Sequence, residues 1–141
     1  MFARVVLPLA VALLIAADEP AKDAKKELDK LQGEWTMVSM ETRGTKAPDE
    51  AVKNFTLTIK GDQWTVTGGN KATFKIDPSK SPKAIHLTFK AGDTEVVSRG
   101  IYKLDGDTLT LCRTQGDRER PKEFKTTAEA GILVVWKRAK Q

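Results

Sequence analysis

The side chains best suited to catalysis or metal binding are scarce in this sequence and stand far apart. The chain has one histidine, His86, and one cysteine, Cys112. A catalytic triad or a metal site needs several such groups at set distances, and nothing in the sequence brings these two together. Asp105 and Asp107 could begin a calcium loop, but the residues after them alternate like a strand instead of supplying further oxygen ligands. We therefore predict no catalytic residue, no metal site and no cofactor.

A group of cationic side chains near the C-terminus suits a different chemistry, the binding of an anion or of a protein partner. Residues 113–121 are polar and lack strand periodicity, so they are predicted to form a long loop. Guanidinium groups in such a loop favour negatively charged partners. Acidic residues stand among the cations, so a solvated loop of mixed charge is the alternative. The candidate ligand or partner residues are Arg113, Arg118, Arg120 and Lys122.

The elements that must position these side chains are strands, because apolar and polar residues alternate from Gly33 onward. Residues 55–59 are one example, and short turns rich in glycine separate the successive runs. The first predicted strand covers residues 34–41, and the last covers residues 132–137. A short strand at residues 122–127 is a further candidate. The count is eight or nine strands.

The arrangement of these strands follows from their pattern. Clean alternation means that each strand buries one face, and short turns between sequence neighbours mean an antiparallel meander. An eight-stranded meander can close on itself, which removes both exposed edges. The predicted fold class is all-β, an eight- or nine-stranded antiparallel meander barrel with one N-terminal helix, and residues 33–141 form the barrel domain.

Two segments precede the barrel. Residues 1–17 have the layout of a cleaved signal peptide: Arg4, then an uncharged run to Ile15, then two alanines ending at Ala17. That run is too short to span a bilayer, so we expect cleavage and export to the periplasm or the extracellular space. Residues 18–32 are the predicted helix, with a narrow apolar stripe that would lie on the barrel.

Composition narrows the range of functions. The chain has 141 residues, 40% hydrophobic and 30% charged, which fits one globular domain. A formal net charge of +5 is too small to indicate nucleic-acid binding. A single cysteine excludes an intramolecular disulfide, and Cys112 could be buried, free or joined to another chain. Its alternation with Leu109 and Leu111 suggests that it points away from the core.

The two ends of the predicted barrel resemble the lipocalin fold. Gly33-Glu34-Trp35 opens the first strand directly after a helix, and Lys137-Arg138 closes the last strand. In lipocalin-type barrels a Gly-x-Trp tryptophan plugs one end, and a cation from the last strand lies across its indole ring. The resemblance implies that Trp35 pairs with Arg138, or with Lys137 if the register differs.

The chain as a whole is also similar to a family of small exported proteins that is expanded in planctomycete bacteria and described only as an uncharacterised conserved domain. The similar stretches are LQGEW at 31–35, GIY at 100–102, LDGDTLTLC at 104–112 and RPKEF at 120–124. The resemblance as a whole covers roughly residues 28–138, most of the mature chain. The resemblance implies export and a barrel-like fold, and it implies no activity.

The leading functional hypothesis is a non-catalytic binding protein for a small apolar or amphiphilic ligand. The alternative is a protein-interaction or inhibitor module with a filled barrel. Aromatic side chains could line a cavity or fill the barrel, and their bulk on short strands favours a mostly filled interior. An open cavity would favour the ligand carrier. The chain is expected to be a monomer that binds no nucleic acid and has no stable membrane span.

Overall fold

The computed structural model describes residues 23–69, 71–116 and 118–139. The predicted signal peptide and the first part of the predicted helix lie outside these ranges. Residues 23–31 form a helix, α1, and a short helix, α2, covers Asp49–Val52. The strands are β1 (Gly33–Thr42), β2 (Thr45–Lys46), β3 (Thr56–Lys60), β4 (Gln63–Val66), β5 (Lys71–Asp77), β6 (Lys83–Ala91), β7 (Thr94–Asp105), β8 (Thr108–Gln115) and β9 (Ile132–Arg138).

The strands form a closed antiparallel barrel. The sheet has nine strands in the order β2-β1-β3-β4-β5-β6-β7-β8-β9, and β9 pairs back onto β1. The two-residue strand β2 pairs only with β1, so eight strands make the barrel wall. The predicted all-β meander barrel of lipocalin type is therefore confirmed. Because β9 pairs with β1, the long strands have no free edge, and each strand has one face inside the barrel and one face outside.

A bulge in β1 shapes the inside of the barrel. The pairing of β1 with β9 shifts between Met37 and Ser39, so Met37 lies opposite Trp136 and Met40 opposite Val134. Residues 37–39 of β1 thus lie opposite only residues 135–136 of β9, which is a β-bulge. Because of this extra residue, Met37 and Met40 both face the interior although they are three positions apart. We call the end of the barrel where β1 and β8 finish and β9 begins the open end. The closed end is the opposite one.

The closed end is filled and covered by α1. Trp35 is completely buried there, and its indole Nε1 donates to the Leu31 carbonyl at 3.0 Å. The Arg138 guanidinium carbon lies 4.2 Å from the centroid of a Trp35 ring. Arg138 also donates to the carbonyls of Lys30 and Gln32, at 2.6 and 3.0 Å. The structure places the pair implied by the lipocalin resemblance at this end, with Arg138 and not Lys137 over the indole.

A second set of contacts fixes α1 to the barrel wall. Glu27, only 7% exposed, accepts from Lys83 Nζ at 2.6 Å and from the Tyr102 hydroxyl at 3.2 Å. Burial, with the nearby Glu27 carboxylate, raises the pKa of Tyr102 above its ordinary value.

Within the described ranges, no helix has the length and apolar character needed to cross a membrane.

The chain between β8 and β9 differs from the prediction. Residues 113–115 belong to β8 and not to the loop, and the described residues 118–131 contain no strand, so the strand predicted at 122–127 is wrong. This segment lies over the outside of the barrel. Cys112 faces outward there but is fully buried, and its Sγ lies 3.5 Å from the Lys125 carbonyl. Burial raises the pKa of the thiol, which makes it a shielded, unreactive group.

Candidate functional site

The open end of the barrel contains a cavity of about 180 Å³. Apolar and aromatic side chains from several strands make most of its wall: Met37, Met40, Phe55, Phe89, Val134 and Trp136. An apolar cavity of roughly 150 Å³ inside a protein stays dry and binds benzene. The open end therefore has room for an apolar group of about that size.

Arg113 is the one charged residue in the wall of this cavity among the described residues. It continues the inward register of Leu109 and Leu111 on β8, so its side chain enters the barrel. Its guanidinium carbon lies 5.1 Å from the centroid of the Phe89 ring. Its Nη1 donates to Ser98 Oγ at 3.1 Å, and the fully buried Ser98 donates its own proton to the Thr114 carbonyl.

Among the described residues, no carboxylate pairs with the positive charge of Arg113. No carboxylate of the described residues lies within 4.0 Å of its guanidinium nitrogens. Burial lowers the pKa of Arg113 to about 10, so the group remains cationic at neutral pH. Arg113 is half-buried, and a charge removed even partly from water without a counter-ion is costly, so an anion at the cavity would reduce that cost.

Trp136 adds a second unmatched polar group. Its side chain lines the same cavity and is 2% exposed, and its indole Nε1 has no hydrogen-bond partner in the structure. Buried indole N–H groups usually find an acceptor, as Trp35 does at the closed end. The cavity wall thus contains one accessible cation, Arg113, whereas the Nε1 atom of Trp136 is itself buried.

The cavity adjoins a shallow hollow on the outer rim of the open end. This hollow measures about 220 Å³, and Arg43, Arg113, Arg118 and Glu129 contribute to its wall. Arg113 lines both spaces, so its guanidinium stands between the apolar interior and the solvent-facing rim. A ligand with an anionic end could keep that end at Arg113 and bury the rest.

The four candidate cations from the sequence do not form one site. Arg113 is in the barrel interior, and Arg118 is exposed on the rim hollow. Arg120 Nη1 donates at 2.6 Å to each of the carbonyls of Ile85 and Gly100, which fastens the 118–131 segment to the sheet. Lys122 is exposed and lines a groove over Cys112 on the outer face, together with Arg120. The four cations thus fall into two pairs, Arg113 with Arg118 at the rim hollow and Arg120 with Lys122 in the outer groove.

The position of Arg113 could have been found by extending the strand pattern by one more inward position. The predicted loop begins at residue 113 because Arg113 is charged. An unpartnered N–H, such as that of Trp136, cannot be recognised from a sequence. His86 is half-buried on the outer face, in a groove with Asp62 and Lys75. Within the described part of the chain, no three metal-ligating side chains are grouped together.

Comparisons with known proteins leave the function to be argued from this geometry. No protein-family model, no curated protein and no solved structure matches the chain.

Gly100 is the residue that makes room for Arg113. It pairs with Arg113 across β7 and β8, and a Cβ placed on it would lie 2.7 Å from the Cys112 carbonyl oxygen and 2.9 Å from Arg113 Cβ. We expect Gly100→Ala to lower the free energy of unfolding by about 3 kcal/mol, because the backbone must shift to admit the methyl group. Urea denaturation would measure this.

A matched control for Gly100→Ala is Gly61→Ala. A Cβ on Gly61 meets nothing within 4 Å, and the substitution is opposed only by the positive φ of 62°. Its expected cost is about 1 kcal/mol. If both variants lose the same free energy of unfolding, crowding against Arg113 is not the reason that position 100 requires glycine.

Proposed function

We propose that this protein is an exported, non-catalytic binding protein that holds a small, largely apolar molecule inside the open end of its barrel. The observation that carries the proposal is the cavity of about 180 Å³ at the open end, with a wall that is mostly apolar. A uniformly filled barrel would have favoured the protein-interaction or inhibitor module instead. Concave, mostly apolar spaces with a few placed polar groups are the usual form of small-molecule sites.

The size of the cavity limits the ligand. Pockets for drug-sized ligands occupy roughly 300 to 1,000 Å³, well above the space available here. The buried part of the ligand is therefore about as large as one aromatic ring, and any larger molecule would have to extend into the rim hollow. Export is supported by the N-terminal pattern of Arg4, an uncharged run and Ala17.

Native mass spectrometry of the protein purified from its own cells would test the carrier function. We expect an additional mass that is lost on denaturation, and its value would identify the ligand class. The denatured mass should correspond to a chain that begins at Asp18, because the signal peptide is expected to be removed after Ala17. A chain that starts at Met1 would contradict export.

A variant that fills the cavity provides the matching binding test. Val134 faces the cavity, and Val135 is the next residue on β9 and faces outward. We expect Val134→Phe to weaken toluene binding at least roughly tenfold, since the new ring takes the space of the ligand. Val135→Phe adds the same volume outside and should leave binding unchanged. If the unmodified protein binds no toluene, or if both variants bind as it does, the carrier proposal is wrong.

A further inference from the structure

The strand register brings two arginines to the rim hollow from different strands. Thr42 of β1 and Arg113 of β8 both pair with Ile132 of β9, so the end of β1 lies two strand spacings, roughly 10 Å, from Arg113. Arg43 follows Thr42 directly, and its backbone N–H donates to the Gly131 carbonyl at 3.0 Å. Arg43 and Arg113 therefore contribute to the wall of the same hollow.

A third arginine, Arg118, reaches this hollow from the chain that follows β8. Thr114 Oγ1 donates to the Glu119 carbonyl at 2.9 Å, which holds residue 119 beside the last part of β8. Arg118 is exposed there, and neither its side chain nor that of Arg43 has a hydrogen bond or an ion pair with another described residue. Both guanidiniums therefore keep their donors for a molecule from outside.

The backbone of Arg43 is an independent sign that its side chain has a role. Arg43 and Gly44 form the two-residue turn between β1 and β2, with φ values of 47° and 82°. Turns with two positive φ values favour Asn-Gly, because asparagine adopts the left-handed region more readily than arginine. Among the described residues, Arg43 is the only one other than glycine with a positive φ. Backbone strain of this kind clusters at binding sites.

The charge of the hollow determines which kind of molecule it fits. In the described part of its wall, three guanidiniums and the Glu129 carboxylate leave a net charge of +2. A phosphate monoester carries about −1.5 to −2 at neutral pH and presents three acceptor oxygens. A carboxylate carries only one negative charge and presents two oxygens. Guanidinium groups also match phosphate oxygens in bidentate pairs, so the hollow suits a phosphate better than a carboxylate.

We infer that the ligand is a phosphate monoester, whose phosphate lies in the rim hollow against Arg43, Arg113 and Arg118 while its apolar group, about as large as a benzene ring, fills the cavity. This inference rests on the proposed binding function and deepens it. Arg113 lines both spaces, so a phosphate joined directly to a ring would contact Arg113 at the boundary between them. Ser98 and Phe89 already hold the Arg113 guanidinium in place, which lowers the cost of ordering it around a ligand.

Phenyl phosphate combines the two parts of the inferred ligand, and toluene and inorganic phosphate each supply one part. The full mature protein, freed of bound molecules by unfolding and refolding, would be titrated with each probe by calorimetry. We expect phenyl phosphate to bind roughly 10- to 100-fold more tightly than either part, because one molecule occupies both spaces. Phenyl sulfate has nearly the same shape but one negative charge, and it should bind roughly three- to tenfold more weakly than phenyl phosphate.

Four variants test the phosphate contact at the rim. Arg43→Asn and Arg118→Met should each weaken phenyl phosphate binding roughly five- to tenfold and leave toluene binding unchanged. Glu129→Gln removes the carboxylate from the same wall and should strengthen phenyl phosphate binding roughly two- to fivefold. Lys60→Met is the matched control, because Lys60 is an exposed cation beside the Gly61 turn at the closed end. Its charge is screened over that distance, so phenyl phosphate affinity should change less than roughly twofold.

Arg43→Asn also has a readout that a purely structural role of Arg43 would not give. The substitution places the favoured Asn-Gly pair in the turn between β1 and β2, so the urea midpoint of the ligand-free protein should stay the same or rise. Phenyl phosphate affinity should fall in the same variant. A fall in both the urea midpoint and the affinity would contradict the interpretation that Arg43 is strained for the sake of binding.

The outcomes separate this inference from the proposed binding function. If toluene binds but phenyl phosphate binds no more tightly, and the rim variants change nothing, the cavity binds ligands and phosphate recognition is wrong. If inorganic phosphate binds as tightly as phenyl phosphate, the rim takes a free anion and the assignment of a monoester fails. If neither toluene nor phenyl phosphate binds the unmodified protein, the binding function itself is overturned.

Discussion

Replacing Trp35 by alanine is expected to lower the free energy of unfolding by about 3 to 5 kcal/mol, the largest loss predicted for any single side chain here. The indole is 0% exposed, so its removal leaves a large void at the closed end. The substitution also deprives the Leu31 carbonyl of its donor and Arg138 of the ring it covers. Loss of these contacts should free α1 from the barrel. Urea denaturation and amide hydrogen exchange in residues 23–31 would measure both effects.

The comparison of two tryptophan-to-phenylalanine variants makes this prediction specific. Trp35→Phe leaves the Leu31 carbonyl without its buried donor and should cost about 1 to 3 kcal/mol. Trp136→Phe removes an N–H that has no acceptor in the ligand-free protein, so it should cost clearly less. Equal destabilisation by the two variants would mean that the hydrogen bond between Trp35 and Leu31 contributes nothing measurable.

Sequence reasoning predicted the barrel because the pattern that specifies it is local. Alternation over residues 55–59 determines which face of β3 is buried, and a two-residue turn determines the neighbouring strand. The register of β1 on β9 could not be predicted in the same way, because the bulge between Met37 and Ser39 depends on contacts with residues far away in the chain. The resemblance of the Gly-x-Trp segment, and not the alternation, indicated that Trp35 and Arg138 would be close.

The candidate site was harder to predict, for a reason that Arg113 illustrates. An arginine side chain combines a long apolar stem with a charged end, so its presence on an inward register position does not show in a hydropathy pattern. The cavity depends on how side chains from several distant strands fill the same space, and no segment of sequence encodes that volume. Cys112 is buried because the 118–131 segment lies over it, and that segment has no apolar–polar alternation from which its path could be predicted.

The 118–131 segment is fastened to the outside of the barrel by contacts of its own side chains. Arg120 reaches two carbonyls of neighbouring strands, and Lys103 lies 4.9 Å from the centroid of the Phe124 ring. These contacts fasten the segment over the buried Ile101 and Cys112 side chains on the outer face of the barrel. Arg120 thus helps to hold that cover in place, whereas Arg118 and Lys122 remain exposed.

The Arg113→Met variant is expected to be more stable than the unmodified protein when both are free of ligand, by about 1 to 3 kcal/mol. The reason is that methionine has a similar length and needs no solvation, whereas the buried guanidinium has no counter-charge among the described residues. Urea denaturation of refolded protein would measure the gain. As a contrast, Arg138→Met should be destabilising, because Arg138 is hydrogen-bonded to two carbonyls and stacked on Trp35.

The pH dependence of that gain provides a second check. Burial lowers the pKa of Arg113 to about 10 in the folded protein, below its ordinary value, so the folded state is penalised in full at neutral pH. Above pH 10 the folded protein releases this proton before the unfolded chain does, so the stability of the unmodified protein should rise relative to Arg113→Met. A ligand-free Arg113→Met protein that is less stable at neutral pH would show that the cation contributes to the fold, and the cost that we assign to its burial would then be wrong.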